Sequence, residues 1–141
     1  MKIAIVNGPN LNLTGKREPD IYGSTTFEDY VPSLKTQFAM HEIVYFQSNI
    51  EGELIDFLHA CGRENRAVLL NAGGYTHTSV ALHDAVMTIP VPVVEIHMSQ
   101  VAAREGYRHT SLIGSACIGT IAGFGMDSYR LGILALEKAS R

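Results

Sequence analysis

Residues 1–23 read MKIAIVNGPNLNLTGKREPDIYG. The apolar run 3–6 breaks at Gly8 and passes into a connection, 7–23, that carries Asn10, Lys16, Arg17, Asp20 and Tyr22. Connections in compact α/β units usually span ~2 to 6 residues, and much longer ones tend to be lids or binding loops. This one is read as an active-site loop, with Gly15 and Gly23 near its ends as hinges for a lid. The opening run is a first strand and not a signal peptide, because it is short and no small-residue cleavage site follows.

Working outward, similar apolar runs recur at 43–46, 67–70, 91–96 and 118–122. Most are apolar throughout, as strands covered on both faces of a parallel sheet are. Amphipathic segments separate them. Thr25 and Glu28 form a capping box ahead of Phe27, Tyr30, Val31, Leu34 and Phe38 at helical spacing. Pro32 predicts a kink or a late start, since an interior proline costs a helix about 3 kcal/mol. Ser48 and Glu51 repeat the box before Leu54, Ile55, Leu58 and Cys61, with Gly62 as a left-handed cap. A third helix is expected over 78–87 and a last over 127–138, with Tyr129, Ile133 and Leu136 inward. Strand and helix alternate throughout, which predicts a flavodoxin-like α/β fold: a five-stranded parallel sheet of order 2-1-3-4-5 with helices on both faces. Its switch point lies between the carboxyl ends of strands 1 and 3, at Asn7 and Asn71.

The 141 residues fit one catalytic domain, 46% hydrophobic and 18% charged, with no run approaching the ~20 apolar residues of a membrane span. A soluble, cytoplasmic protein is expected. A net charge of -3 offers no footprint for nucleic acid or an anionic membrane. Cys61 and Cys117, in apolar surroundings, are read as buried free thiols of a reducing cytosol.

Polar residues concentrate just after the strands: NGPNLN, QSN, NAGGYTHTS and HMSQ. Ligands bind at that edge in this architecture, although polar loop residues also serve simply as helix caps. Arg17 beside Tyr22 can favour phenolate and make a general base; a loop anchor and a solvated cation remain the alternative. Glu95 and His97 share one strand face, so the carboxylate can orient the imidazole. His77 and Asp84 are seven apart and face one way if both are helical. His77 and His83 do not, which argues against a helical zinc pair. Gly73 and Gly74 allow close backbone approach to a ligand, or simply a tight turn. Arg104 and Arg108, in REGYRH, suit oxyanions or hydroxyls, or form a surface pair. No lysine is expected within a strand, so a buried Schiff-base lysine is not predicted. Dinucleotide, Walker and GxSxG signatures are missing.

Taken together, NGPNLNLTGKREPDIYG, QSNIEGELIDFLH, NAGGYTHTSVALHDA, VVEIHMSQVAARE, YRHTS and GFGMDSYRLGI resemble type II dehydroquinase from end to end. The resemblance implies anti elimination of water from 3-dehydroquinate to 3-dehydroshikimate, through an enolate and without cofactor or metal, in the shikimate or quinate pathway. It implies Tyr22 as the phenolate base, Arg17 lowering its pKa, and Asn10 holding a water on the enolate oxygen. His97, oriented by Glu95, would protonate the departing hydroxyl. Asn71, the Met98 backbone amide and Ser99 would hold the substrate carboxylate, and His77, Asp84 and Arg108 the ring hydroxyls. The residue matching Asp84 comes from a neighbouring subunit of a dodecamer of four trimers, so a homo-oligomer is expected. Gln100, His83, Tyr107 and Ala72 depart from the family's commoner Asn, Arg, Phe and Pro. A flavodoxin-like binding or regulatory module without turnover is the alternative, one that would be expected to lose Tyr22, Arg17 or His97.

Overall fold

A computed structural model of the chain describes residues 1–16, 20 and 24–140. Five strands, β1 (Lys2–Asn7), β2 (Glu42–Gln47), β3 (Ala67–Asn71), β4 (Val93–His97) and β5 (Gly119–Ala122), form one parallel sheet in the order β2-β1-β3-β4-β5. The expected order is therefore found. Among the described residues, helices α1 (Phe27–Gln37), α2 (Glu51–Arg63), α3 (Val80–Thr88) and α4 (Asp127–Ala139) follow the alternation.

Alternation along each strand sends successive side chains to opposite faces. Ile3, Ile5, Leu69, Val94 and Ile96 pack with Phe27, Val31 and Leu34 of α1 and with Tyr129, Ile133 and Leu136 of α4. Ala4, Val6, Val68, Leu70 and Val93 pack with Leu54, Leu58 and Cys61 of α2 and with Leu82, Ala85 and Val86 of α3. Both faces of the central strands are thus buried, which is why those runs do not alternate. β5, at the edge, is partly exposed.

The helix starts differ from expectation. Thr26, not Thr25, caps α1, its hydroxyl accepting from the Asp29 amide at 3.3 Å and donating to the Asp29 carboxylate at 3.0 Å. α1 starts before Pro32 and runs through it. Pro32 and Glu28 lie on the exposed face, where water can serve the carbonyl that a proline leaves without an N–H. In α2 the cap position is Ile50, and Ser48 pairs with Glu53 at 2.8 Å instead of Glu51, which accepts from Ser79 at 2.6 Å. Gly62 is helical and not the left-handed cap; Asn65 takes that conformation, at φ 54°. A side chain at position 62 would come within 3.1 Å of Ile89, so close packing against the chain after α3 calls for glycine there. α3 begins at Val80 behind the Ser79 cap, after a 3₁₀ turn over Gly73–His77. Lys2 does lie in a strand, but as the exposed first residue of β1 at the sheet's amino end.

Candidate active site

The carboxyl ends of β1, β3 and β4 open onto a cleft of about 150 Å³. Its walls include Asn10 and Thr14 after β1, Asn71 at the end of β3 with His77 beyond it, and His97 at the end of β4 with Ser99 beyond it. Met98, Arg104 and Arg108 complete the side toward the 3₁₀ turns that follow β4. Loops that leave the same sheet edge converge there because every strand runs the same way.

Asn10 is held with φ 70°, a left-handed conformation that asparagine tolerates better than most residues. Its backbone N–H donates to the Asn49 side chain at 2.9 Å. Gln47 donates both to that side chain and to the Gly8 carbonyl, each at 3.1 Å. The start of the long loop is therefore tied to the end of β2.

His97 Nε2 lies 2.8 Å from Glu95 Oε1, as strand alternation predicts for two residues on one face. Glu95 is buried. Ser111 donates to its Oε1 at 2.6 Å and Thr120 to its Oε2 at 2.9 Å. Burial opposes ionisation, but the hydrogen bonds from His97 and Ser111, the His97 charge and Thr120 outweigh it and hold the carboxyl below its ordinary value. Thr120 is the β5 residue in register with Glu95. Because a carboxylate can only accept, His97 Nε2 carries the proton of this pair.

His77 Nδ1 donates to the Thr110 carbonyl at 2.8 Å, which leaves Nε2 of the neutral ring as an acceptor. The His77 and His97 rings stack with centroids 6.5 Å apart. His77 belongs to the 3₁₀ turn, so the helical argument that aligned it with Asp84 does not apply. Asp84 sits on α3 with 70% of its side chain exposed, beside His83 and outside the cleft wall. Arg108 donates to Glu105 at 2.8 Å, and Arg104 lies 3.8 Å from the same carboxylate.

Asn71 lies at the switch point, but Asn7 is fully buried beneath it and takes no part in the cleft wall. Arg17 and Tyr22 lie outside the described residues, as does Gly23. Among the described residues no group of three His, Cys, Asp or Glu side chains converges as a metal site, and no helix is long and apolar enough to cross a membrane. Cys61 and Cys117 are free, Cys61 buried and Cys117 only partly so.

Sequence reasoning did not assign Asn49, Ser111 or Thr120, each of which grips another residue and not the cleft. Their signal exists only once β2, β4 and β5 are in register. Arg104 was noticed for its charge, and the structure adds it to the cleft wall.

The family model described as dehydroquinase class II matches residues 1–137. A protein of Carboxydothermus hydrogenoformans named 3-dehydroquinate dehydratase is 52% identical, over 96% of this chain and 90% of its own length. The crystal structure of a type II dehydroquinase from Butyrivibrio crossotus superposes with a TM-score of 0.94 at 36% identity, covering 97% of each chain. That of Propionibacterium acnes gives 0.93 at 33% identity, covering 97% of this chain and 96% of its own.

Proposed function

The chain belongs to the class II dehydroquinase family, a family of hydro-lyases, and we propose that it dehydrates 3-dehydroquinate by an anti elimination through an enolate. Tyr22, as phenolate beside Arg17, removes the proton at C2. The electrons pass to the carbonyl oxygen at C3, where a water held by Asn10 stabilises the enolate as its charge develops. The enolate then collapses to the conjugated enone as the C1 hydroxyl leaves, protonated by His97.

The observation that carries this reading is the Glu95–His97 pair in the cleft wall, 2.8 Å apart. The Glu95 carboxylate accepts the Nε2 proton and so fixes the ring that, when doubly protonated, gives a proton from its other nitrogen. With Nε2–H engaged by Glu95, Nδ1 is the nitrogen that faces the leaving hydroxyl. For binding, Asn71, the Met98 N–H and Ser99 hold the substrate carboxylate, and His77 and Arg108 take ring hydroxyls. His77 Nε2 accepts from a hydroxyl, since its Nδ1 proton is given to Thr110.

Asp84, exposed and outside its own chain's cleft, acts in a neighbouring subunit's site. This fits a homo-oligomer built from trimers, a dodecamer in its full form. The reaction needs no cofactor and no metal, and it serves the shikimate or quinate pathway in the cytoplasm.

Mixing the protein with 3-dehydroquinate and following the ultraviolet absorbance of the conjugated product tests the proposal. Wild type is expected to produce the enone and Tyr22→Phe to fall at least about 100-fold, within the range that a general base contributes. No turnover by wild type would overturn the function, and a fully active Tyr22→Phe would overturn the base assignment.

A further inference from the structure

A polar chain runs beneath the cleft floor, inside the core. Tyr129 rises from the first turn of α4, with its side chain fully buried and its ring edge-on to Phe27 at 5.3 Å. Its hydroxyl lies 2.8 Å from Asn71 Nδ2 on one side and 2.8 Å from Asn7 Oδ1 on the other. Asn7 and Asn71 are register partners on β1 and β3, and both project to the α1/α4 side of the sheet. Asn7 Nδ2 continues the chain toward the Tyr45 hydroxyl at 3.4 Å.

The direction of this chain follows from one backbone group. The Gly73 N–H, which can only donate, lies 3.2 Å from Asn71 Oδ1. The Asn71 oxygen is therefore on that side, and its NH₂ faces Tyr129. Tyr129 must accept there, so its own single proton goes to Asn7 Oδ1. Burial pushes the Tyr129 phenol far above its ordinary value, so it keeps that proton throughout the neutral range. One N–H of Asn71 remains for the cleft, which Asn71 lines. The amide thus keeps a donor for whatever binds, while its oxygen is engaged by the Gly73 N–H.

We propose that Tyr129, locked between Asn7 and Asn71, is a positioning residue that holds Asn71 as a donor and thereby selects a substrate bearing a carboxylate at that point. The proposal rests on the assignment of the substrate carboxylate to Asn71 given above. Tyr129 touches no substrate. It acts through Asn71, and without its hydroxyl the amide loses one of the two bonds that orient it, leaving a buried donor unsatisfied.

Tyr129→Phe keeps the ring that fills the core and removes only the hydroxyl. In steady-state assays with 3-dehydroquinate, it is expected to raise KM about tenfold while kcat changes less than about threefold, the pattern of lost binding common to ground and transition states. Asn7→Ala removes the acceptor of the Tyr129 proton without touching Asn71 or Tyr129, and it is expected to raise KM several-fold, in the same direction; it also serves if the first variant does not fold. In an Asn71→Ala background, adding Tyr129→Phe is expected to raise KM no further, because the two act through one contact. Raised KM in Asn71→Ala with unchanged KM in the two folded single variants would overturn the positioning role alone, as would additive effects in the double variant. Unchanged KM in Asn71→Ala would overturn the carboxylate assignment and the inference with it.

Discussion

Glu95 Oε1 receives both His97 Nε2, at 2.8 Å, and the Ser111 hydroxyl, at 2.6 Å. Ser111 is itself fixed, accepting from the Gly114 amide at 2.9 Å and the Ile113 amide at 3.2 Å. The imidazole is therefore oriented by a carboxylate that is in turn oriented by a folded turn.

Ser111→Ala removes one hydrogen bond to a charged acceptor, a contribution of about 1.5–3 kcal/mol. Since that bond helps hold the Glu95 carboxyl low, its loss raises the Glu95 pKa. The expected result is a kcat roughly tenfold lower, equivalent to about 1.4 kcal/mol, with the acid limb of the pH–rate profile displaced to higher pH. Activity measured from pH 3.5 to 9 checks both effects, and an unmoved acid limb would argue against the link.

Stability should carry the same signature. The folded pKa of Glu95 lies below its ordinary value of 4.5. Between the two values the unfolded chain binds a proton that the folded chain does not, so stability falls as pH falls. Glu95's ionisation therefore stabilises the fold fully above about pH 4.5, and this contribution disappears as the pH drops through the folded pKa. Urea unfolding of wild type and Glu95→Gln at pH 7 and pH 3.5 is expected to give a wild-type advantage that shrinks at the lower pH.

Neither thiol is set up as a nucleophile. Burial pushes Cys61 up to about 11, and burial with the nearby Glu95 charge pushes Cys117 up to about 12. At pH 8 the thiolate fraction of each is about 0.1% or less, since the thiolate is the reactive form. Alkylation by iodoacetamide at that pH is expected to be at least about 100-fold slower in the native protein than in urea. Comparable rates would show that the thiols open locally.

The proposed role of Asp84 in a neighbour's site can be tested by complementation. Asp84→Ala and Tyr22→Phe are each expected to be nearly inactive. Dissociating and reassembling the two together creates sites with a wild-type Tyr22 facing a wild-type Asp84 from the next chain. Recovery of a substantial fraction of wild-type activity, roughly a quarter for random mixing at one contact, is the expected outcome. No recovery in verified mixed oligomers would mean that Asp84 acts within its own chain or not at all.

The alternation of apolar runs with amphipathic segments was sufficient for the strands and the parallel sheet, because burial on both faces leaves a local signature in each run. The strand order comes instead from the flavodoxin-like arrangement of five such strands. Helix starts were less legible. Thr25 and Thr26 offer neighbouring hydroxyls, and which one caps α1 depends on where the preceding loop delivers the chain. Gly62 carries the usual composition of a helix end, yet Ile89, remote in sequence, gives it another purpose.

For the site, the sequence alone determined which chemistry-bearing residues fall at the strand ends, and strand alternation alone placed Glu95 and His97 on one face. Only the tertiary structure decided that His77 belongs to a 3₁₀ turn, that Asp84 lies away from its own cleft, and that Ser111, Thr120, Asn49 and Tyr129 stand behind the groups that line it. The reason is physical. Strand periodicity is a local property of the backbone, whereas a hydrogen bond between Tyr129 and Asn71 joins residues 58 positions apart and exists only after α4 has packed against the sheet.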